Sequence, residues 1–150
     1  SAGMDLPMFI EDLRTCAEWL KQRADCNGPV GTVGFCLGGK LVWLGLSHHV
    51  VDAGVAYYAV QLAEHLDEAK PINRPLMMHF GALDYRVPRD LYERIRGSLA
   101  GKPHAHTYWY EGADHGFARD GYAPYHPEAA ALAGQRTLDF LKLHLGGGTA

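Results

Sequence analysis

A chain of 150 residues that is 47% hydrophobic and 21% charged has the composition of one globular domain, which excludes disorder and fibrous repeats. Fourteen Lys and Arg against 17 Asp and Glu give a net charge of −3 with the basic residues scattered, so no nucleic-acid partner is expected. Three cysteines at positions 16, 26 and 36 cannot all pair within the chain and lack CxxC spacing, which points to a reducing, cytoplasmic setting.

No apolar run approaches the roughly 18 residues of a membrane span, so neither a membrane partner nor a signal peptide is expected. Ser1-Ala2-Gly3 ahead of Met4 reads as an appended leader, which leaves the natural start open. From Pro7 to about Arg23, Phe9, Leu13, Cys16, Ala17 and Leu20 recur at helical spacing and predict one apolar face. Pro7 suits a first turn, and Cys26-Asn27-Gly28-Pro29 ends the element. Val30 to Phe35 is a short β-branched run leading through Gly38-Gly39 into a helical stretch from Lys40 to His48. Strands are predicted at Asp52 to Tyr58, Leu76 to Phe80 and His106 to Tyr110, with helices at Arg89 to Leu99 and Pro127 to Leu145. Such alternation predicts a parallel sheet covered on both faces. Gly112 to His126 reads as a loop, and Gly146 to Gly148 as a frayed tail.

Gly34-Phe35-Cys36-Leu37-Gly38 has the form G-x-C-x-G, the cysteine version of the nucleophile elbow. In that motif the nucleophile sits on a strained strand-to-helix turn, and residues without a Cβ let the backbone pass closely. The amide of Leu37 then lies at a helix N-terminus, where it can donate to an oxyanion. Alone, the motif fits a buried structural cysteine before a glycine turn at least as well.

Two further loops follow predicted strands. One is Gly81-Ala82-Leu83-Asp84, and the other is Glu111-Gly112-Ala113-Asp114-His115-Gly116. Nucleophile, acid and histidine thus occur in the order of α/β hydrolases, each at the C-terminal end of a strand. A histidine can take the thiol proton and return one to a leaving group, while a carboxylate holds its tautomer. Cys36, Asp84 and His115 are therefore the candidate catalytic residues. Asp114 beside His115 reads as a loop residue, because adjacent side chains in an extended segment point apart. His48-His49 and His104-Ala105-His106 lack a third ligand at matching spacing, so no metal is expected. Tyr57, Tyr58, Trp109 and Tyr110 read as core or pocket lining, and Cys16 and Cys26 as inert.

At this point the chain resembles the dienelactone hydrolases, or carboxymethylenebutenolidases. The resemblance spans Gly31 to about Leu143 and rests on Val33-Gly34-Phe35-Cys36-Leu37-Gly38-Gly39, Val55-Ala56-Tyr57-Tyr58, Gly81-Ala82-Leu83-Asp84, Trp109-Tyr110-Glu111, His115-Gly116-Phe117-Ala118-Arg119 and Gln135 to Leu141. It implies a cofactor-free hydrolysis of an enol-lactone through an acyl-enzyme, with Cys36 as nucleophile, His115 as base and Asp84 as its orienter. Arg119 matches an arginine that holds the substrate carboxylate, and Phe35 and Tyr58 fall at substrate-binding positions. The expected small-molecule partner is a lactone or ester bearing a carboxylate.

The expected fold is α/β, the C-terminal half of an α/β hydrolase with about four mainly parallel strands and flanking helices, forming a single truncated domain over residues 1–150. The resemblance implies several strands ahead of the elbow, one of whose loops supplies the second oxyanion amide; here only a helix precedes it. Two rivals therefore accompany the hydrolase reading: a remnant that binds a carboxylate ligand without turnover, and an interaction module. With no preceding strand, Val30 to Phe35 becomes an unguarded edge, and a homodimer through Gly31 to Phe35 is expected.

Overall fold

The computed structural model describes residues 4–146, so Ser1–Gly3 and, of the expected glycine tail, Gly147 and Gly148 lie outside the described residues. The elements run α1 (Leu6–Lys21), β1 (Gly31–Phe35), α2 (Leu37–Ser47), β2 (Ala53–Tyr57), a 3-10 turn (Leu66–Ala69), β3 (Leu76–Gly81), α3 (Arg89–Ser98), β4 (Ala105–Tyr110) and α4 (Pro127–Leu145). The four strands form one parallel sheet in the order β1-β2-β3-β4. This is the fold class expected from the alternation of apolar runs. The 3-10 turn was not anticipated, because four residues are too few to show a period.

Parallel strands need a crossover between neighbours, and the crossovers cover both faces. Every residue of β2 and β3 is buried, as central strands covered on both sides must be. On one face Val42 and Leu46 of α2 close over the backbone of Gly54, joined by Met78, Phe80, Tyr92 and Ile95. On the other, Ala129, Ala133, Thr137 and Phe140 of α4 meet Tyr57, Met77 and Phe117. Each large apolar side chain taken fully out of water contributes about 1.5–3 kcal/mol, which makes these two layers the main source of stability.

The ends of the helices are chemically marked. Asp5 Oδ1 accepts from the Met8 amide at 3.1 Å at the start of α1, and His126 Nδ1 from the Ala129 amide at 3.1 Å at the start of α4. α2 begins at Leu37 rather than Lys40, because Gly38 and Gly39 lie inside its first turn. In α1 the buried positions are Ile10 and Ala17, with Leu6 and Leu13 partly covered. The apolar face predicted from Phe9, Cys16 and Leu20 is thus rotated: these three are exposed, since only the neighbouring stripe meets α2.

A polar chain runs through the layer beneath α4. His79 is fully buried, with Nδ1 2.8 Å from the Tyr110 hydroxyl and Nε2 3.0 Å from Thr137 Oγ1. Thr137 Oγ1 lies 2.8 Å from the Tyr57 hydroxyl, and Arg136 donates to the Tyr110 hydroxyl at 3.1 Å. A guanidinium can only donate. The Tyr110 oxygen thus accepts from Arg136, and its own proton is free for donation to His79 Nδ1. Among the described residues no buried side-chain nitrogen or oxygen lacks a partner.

Burial, assisted by the nearby Arg136 charge, pushes the His79 imidazole down to about 3. Between that value and its ordinary 6.5 the unfolded chain binds a proton that the native state refuses. This part of the stability is complete above pH 6.5 and is lost as pH falls toward 3. Urea unfolding across this window is expected to show a steeper loss for the natural chain than for His79→Phe. The difference in slope approaches about 1.4 kcal/mol per pH unit at full protonation of the unfolded state.

Candidate active site

In a parallel sheet the C-terminal ends of all strands lie along one edge, and the loops that leave them gather there. Four residues of interest immediately follow the strands or lie a few positions beyond: Cys36 after β1, Tyr58 after β2, Asp84 after β3 and His115 after β4.

Cys36 stands between β1 and α2 with φ 57° and ψ −117°, a conformation that L-residues rarely adopt. The turn closes so tightly that a Cβ on Gly34 would strike the backbone of Gly38. Gly34 is therefore the glycine that the elbow requires. Gly38, expected to serve the same purpose, has open space where its Cβ would be, so its own lack of a side chain is not what admits the turn. Leu37 is the first residue of α2, and its N–H has no acceptor within the helix.

His115 Nε2 lies 3.2 Å from Cys36 Sγ, and His115 Nδ1 lies 2.8 Å from Asp84 Oδ2. Asp84 is buried at 2% exposure, and its second oxygen accepts from the Arg86 amide at 2.9 Å. That two-residue reach is an aspartate turn, which locks the carboxylate plane. With the carboxylate as acceptor, Nδ1 carries the proton and the lone pair of Nε2 faces the thiol. Asp114 Oδ1 instead accepts from the His115 amide at 2.6 Å, so it fixes the loop, as expected of a residue adjacent to the histidine.

The walls are aromatic. Tyr58, with φ 38° and its amide on the His79 carbonyl at 2.7 Å, sets its ring 5.1 Å from His115. Burial, then the neighbouring Tyr57 and Cys36, raise its phenol to about 12, with Arg119 opposing them, so it stays neutral. Phe117 backs this ring at 5.5 Å. Phe35 stacks on Tyr57 at 4.8 Å yet remains half exposed. Arg119 is exposed, with its guanidinium 5.1 Å over Tyr122. Gly116 holds φ 79° and a Cβ there would meet the Tyr122 ring, which fixes the loop carrying Arg119.

His115, with Asp84 and Tyr58 beside it, is thus brought to the Cys36–Leu37 turn, while Phe35 lies against Tyr57 and Tyr58 and Arg119 stands at the exposed margin. Two residues were not singled out. The Arg86 amide orients Asp84, a role for which an aspartate two residues upstream is a legible signal. Phe117 supports Tyr58, and only packing reveals that. Cys16, expected to be inert, is exposed, whereas Cys26 and Cys36 are partly covered. Among the described residues no cluster of three or more His, Cys, Asp or Glu could hold a metal ion, and no helix is long and apolar enough to cross a membrane.

The profile of the dienelactone hydrolase family matches residues 8–145. The carboxymethylenebutenolidase of Pseudomonas putida is 36% identical over 139 residues, covering 93% of this chain and 59% of that protein. The carboxymethylenebutenolidase of Rhodococcus opacus is 31% identical over 160 residues, covering 98% of this chain and 62% of that protein. Among solved structures, a Klebsiella pneumoniae protein with a provisional dienelactone hydrolase label superposes with a TM-score of 0.85 at 30% identity, covering 93% of this chain and 62% of that one. The chain belongs to the dienelactone hydrolase family. It spans about three fifths of the length of these relatives.

The elbow geometry makes opposite demands at its two glycines. Gly34→Ala is expected to lower stability by about 1–3 kcal/mol through overpacking against the Gly38 backbone. Gly38→Ala is expected to change it by less than about 0.5 kcal/mol, both read from urea midpoints.

Proposed function

We propose, starting from membership of that family, that the chain is a thiol hydrolase in which Cys36, His115 and Asp84 cleave a lactone or activated ester bearing a carboxylate. The observation that carries this reading is the continuous contact from thiol to imidazole to buried carboxylate, at 3.2 and 2.8 Å. His115 Nε2 takes the thiol proton as the sulfur attacks the acyl carbon, and Asp84 steadies the imidazolium. The negative charge that develops on the acyl oxygen falls to the Leu37 amide and the N-terminal end of α2. The acyl–oxygen bond then breaks, His115 returns the proton to the departing oxygen, and a thioester remains. A water deprotonated by His115 attacks that thioester, releasing the acid and restoring the thiol. No step calls for a cofactor. Phe35 and Tyr58 form the apolar walls for the acyl part, and Arg119 is the group for a substrate carboxylate.

The rival reading is a site that binds a carboxylate ligand without turning it over. Incubation with p-nitrophenyl acetate separates the two. A burst of nitrophenol followed by steady release, abolished in Cys36→Ala, is expected of the hydrolase; a thioester that never turns over, or no burst, leaves the carboxylate-binding remnant. Because Cys16 is exposed, accessibility alone favours it over Cys36 in reaction with iodoacetamide. The base beside Cys36 is expected to reverse that order near neutral pH, with His115→Ala slowing the labelling of Cys36 and leaving that of Cys16 unchanged. Mass-spectrometric mapping in which Cys16 reacts first would sink the nucleophile assignment.

Arg119 is solvent-exposed, so its anchoring is screened. Arg119→Ala is expected to raise KM for carboxylate-bearing esters about fivefold, equivalent to about 1 kcal/mol, while leaving p-nitrophenyl acetate unaffected. Equal losses for both substrates would remove the anchor role.

A further inference from the structure

Helix α4 starts on a histidine. His126 holds φ −121° and ψ 100°, outside the helix, and its ring reaches forward so that Nδ1 accepts from the Ala129 amide at 3.1 Å. Ser, Thr, Asp and Asn are the usual residues at this place, and none of them gains or loses a proton between about pH 5 and 8. Histidine does, and an imidazole that has taken a second proton donates from both nitrogens and accepts at neither. The acceptor matters here because of what surrounds it. Pro127 carries no N–H, Glu128 is exposed, and the Ala130 amide already donates to the His126 carbonyl at 2.8 Å. Ala129 therefore holds the amide of this turn that is both buried, at 5% exposure among the residues around Tyr57 and Tyr58, and satisfied by a side chain. A buried N–H deprived of its acceptor is costly, so the turn opens to water when the ring lets go.

A proton on this ring also sets a positive charge at the end of α4 where the peptide dipoles already present their positive pole. The carboxylates nearest in the fold do not answer it. Glu128 is the acidic residue of the first turn, and on the other side His126 Nε2 lies 3.6 Å from where a Cβ on Gly112 would sit, next in the chain to Glu111. Among the described residues no carboxylate comes within 4.0 Å of either ring nitrogen. The ring is only partly covered, which keeps it within reach of protons from solvent.

The same residue closes a loop. Its backbone N–H donates to the Phe117 carbonyl at 2.9 Å, which shuts the excursion from Ala118 to Tyr125. Within that excursion the backbone bonds are local turns, the Tyr122 amide on the Arg119 carbonyl at 3.2 Å and the Tyr125 amide on the Tyr122 carbonyl at 2.8 Å. Arg119 rides on this loop, and Phe117 at its base packs against Tyr58, whose ring faces His115. We propose that His126 is a pH-sensitive catch: neutral, it holds the first turn of α4 closed, and on taking a proton it releases that turn together with the loop that carries Arg119. The catch thereby links the proton concentration in solution to the wall of the candidate active site. It stands on the geometry of the cap and does not depend on the catalytic reading.

Amide hydrogen exchange between about pH 5 and 8, corrected for the intrinsic pH dependence of exchange, tests it beside an NMR titration of the His126 ring. Protection of the Ala129 and His126 amides is expected to fall about fivefold as the ring takes its proton, with the same midpoint, while the Val55 and Met78 amides in the middle of the sheet keep theirs. His126→Asn and His126→Ser retain an acceptor that does not titrate in this range, so either variant is expected to hold the Ala129 amide equally protected throughout. A ring that takes its proton with no change at Ala129 overturns the proposal, as does a ring that takes none in this range. So does a loss of protection that persists in a folded variant, since another group then drives it, or one that Val55 and Met78 share, since the whole fold is then opening.

Discussion

The backbone of Cys36 is the constraint on which the rest of the site depends. A residue held at φ 57° reverses the chain between β1 and α2 within one position, and in doing so lifts its thiol off the end of the sheet. Conformations of this kind cost about 1–3 kcal/mol and persist only where packing over-determines them. Here the packing is the contact of Gly34 with the Gly38 backbone on one side and α2 laid over β1 and β2 on the other. Tyr58, at φ 38°, repeats the device one strand along. Both residues sit where a parallel strand ends, at the edge of the sheet that carries the candidate site.

Two histidines in this chain show how surroundings divide one residue type between roles. His79 has a hydroxyl on each ring nitrogen and no exposure, and burial keeps it neutral; it joins β3 to β4 and α4. His115 has a carboxylate on one nitrogen and a thiol on the other, at the end of the sheet. Protonation of the first would place a charge where nothing offsets it, whereas the second has the Asp84 carboxylate beside its Nδ1. The two meet through Tyr57 and Tyr58: the ring of Tyr57 lies 4.6 Å from His79, and that of Tyr58 lies 5.1 Å from His115. The floor of the site is thereby the roof of the buried polar chain, which ties the position of α4 to the aromatic wall beside Cys36.

The sheet is unequal across its width. β2 and β3 are buried throughout, β4 is half covered, and β1 carries residues of the same apolar type with one side open. Apolar residues throughout a parallel strand suit one that is covered on both faces.

The sequence by itself determined the alternation of strands and helices, the parallel sheet, and the order of Cys36, Asp84 and His115. Each of these is local: β-branched runs of about five residues, helical periods, and glycines at a turn carry their signal within a few positions. Helix α4 was legible to both ends, because Pro127 opens it and glycine follows Leu145. The face of α1 was not, since Phe9, Cys16 and Leu20 are as apolar as the stripe that packs, and only the position of α2 decides between them. Nor was the difference between Gly34 and Gly38 legible: the motif treats them alike, while the crossing of the backbone makes only the first indispensable. The closure of the thiol–imidazole–carboxylate chain, the neutrality of His79 and the shielding of Tyr58 by Phe117 were likewise decided by tertiary structure. They depend on distances between segments that lie far apart in the chain, and those distances exist only once the sheet has brought the strand ends together.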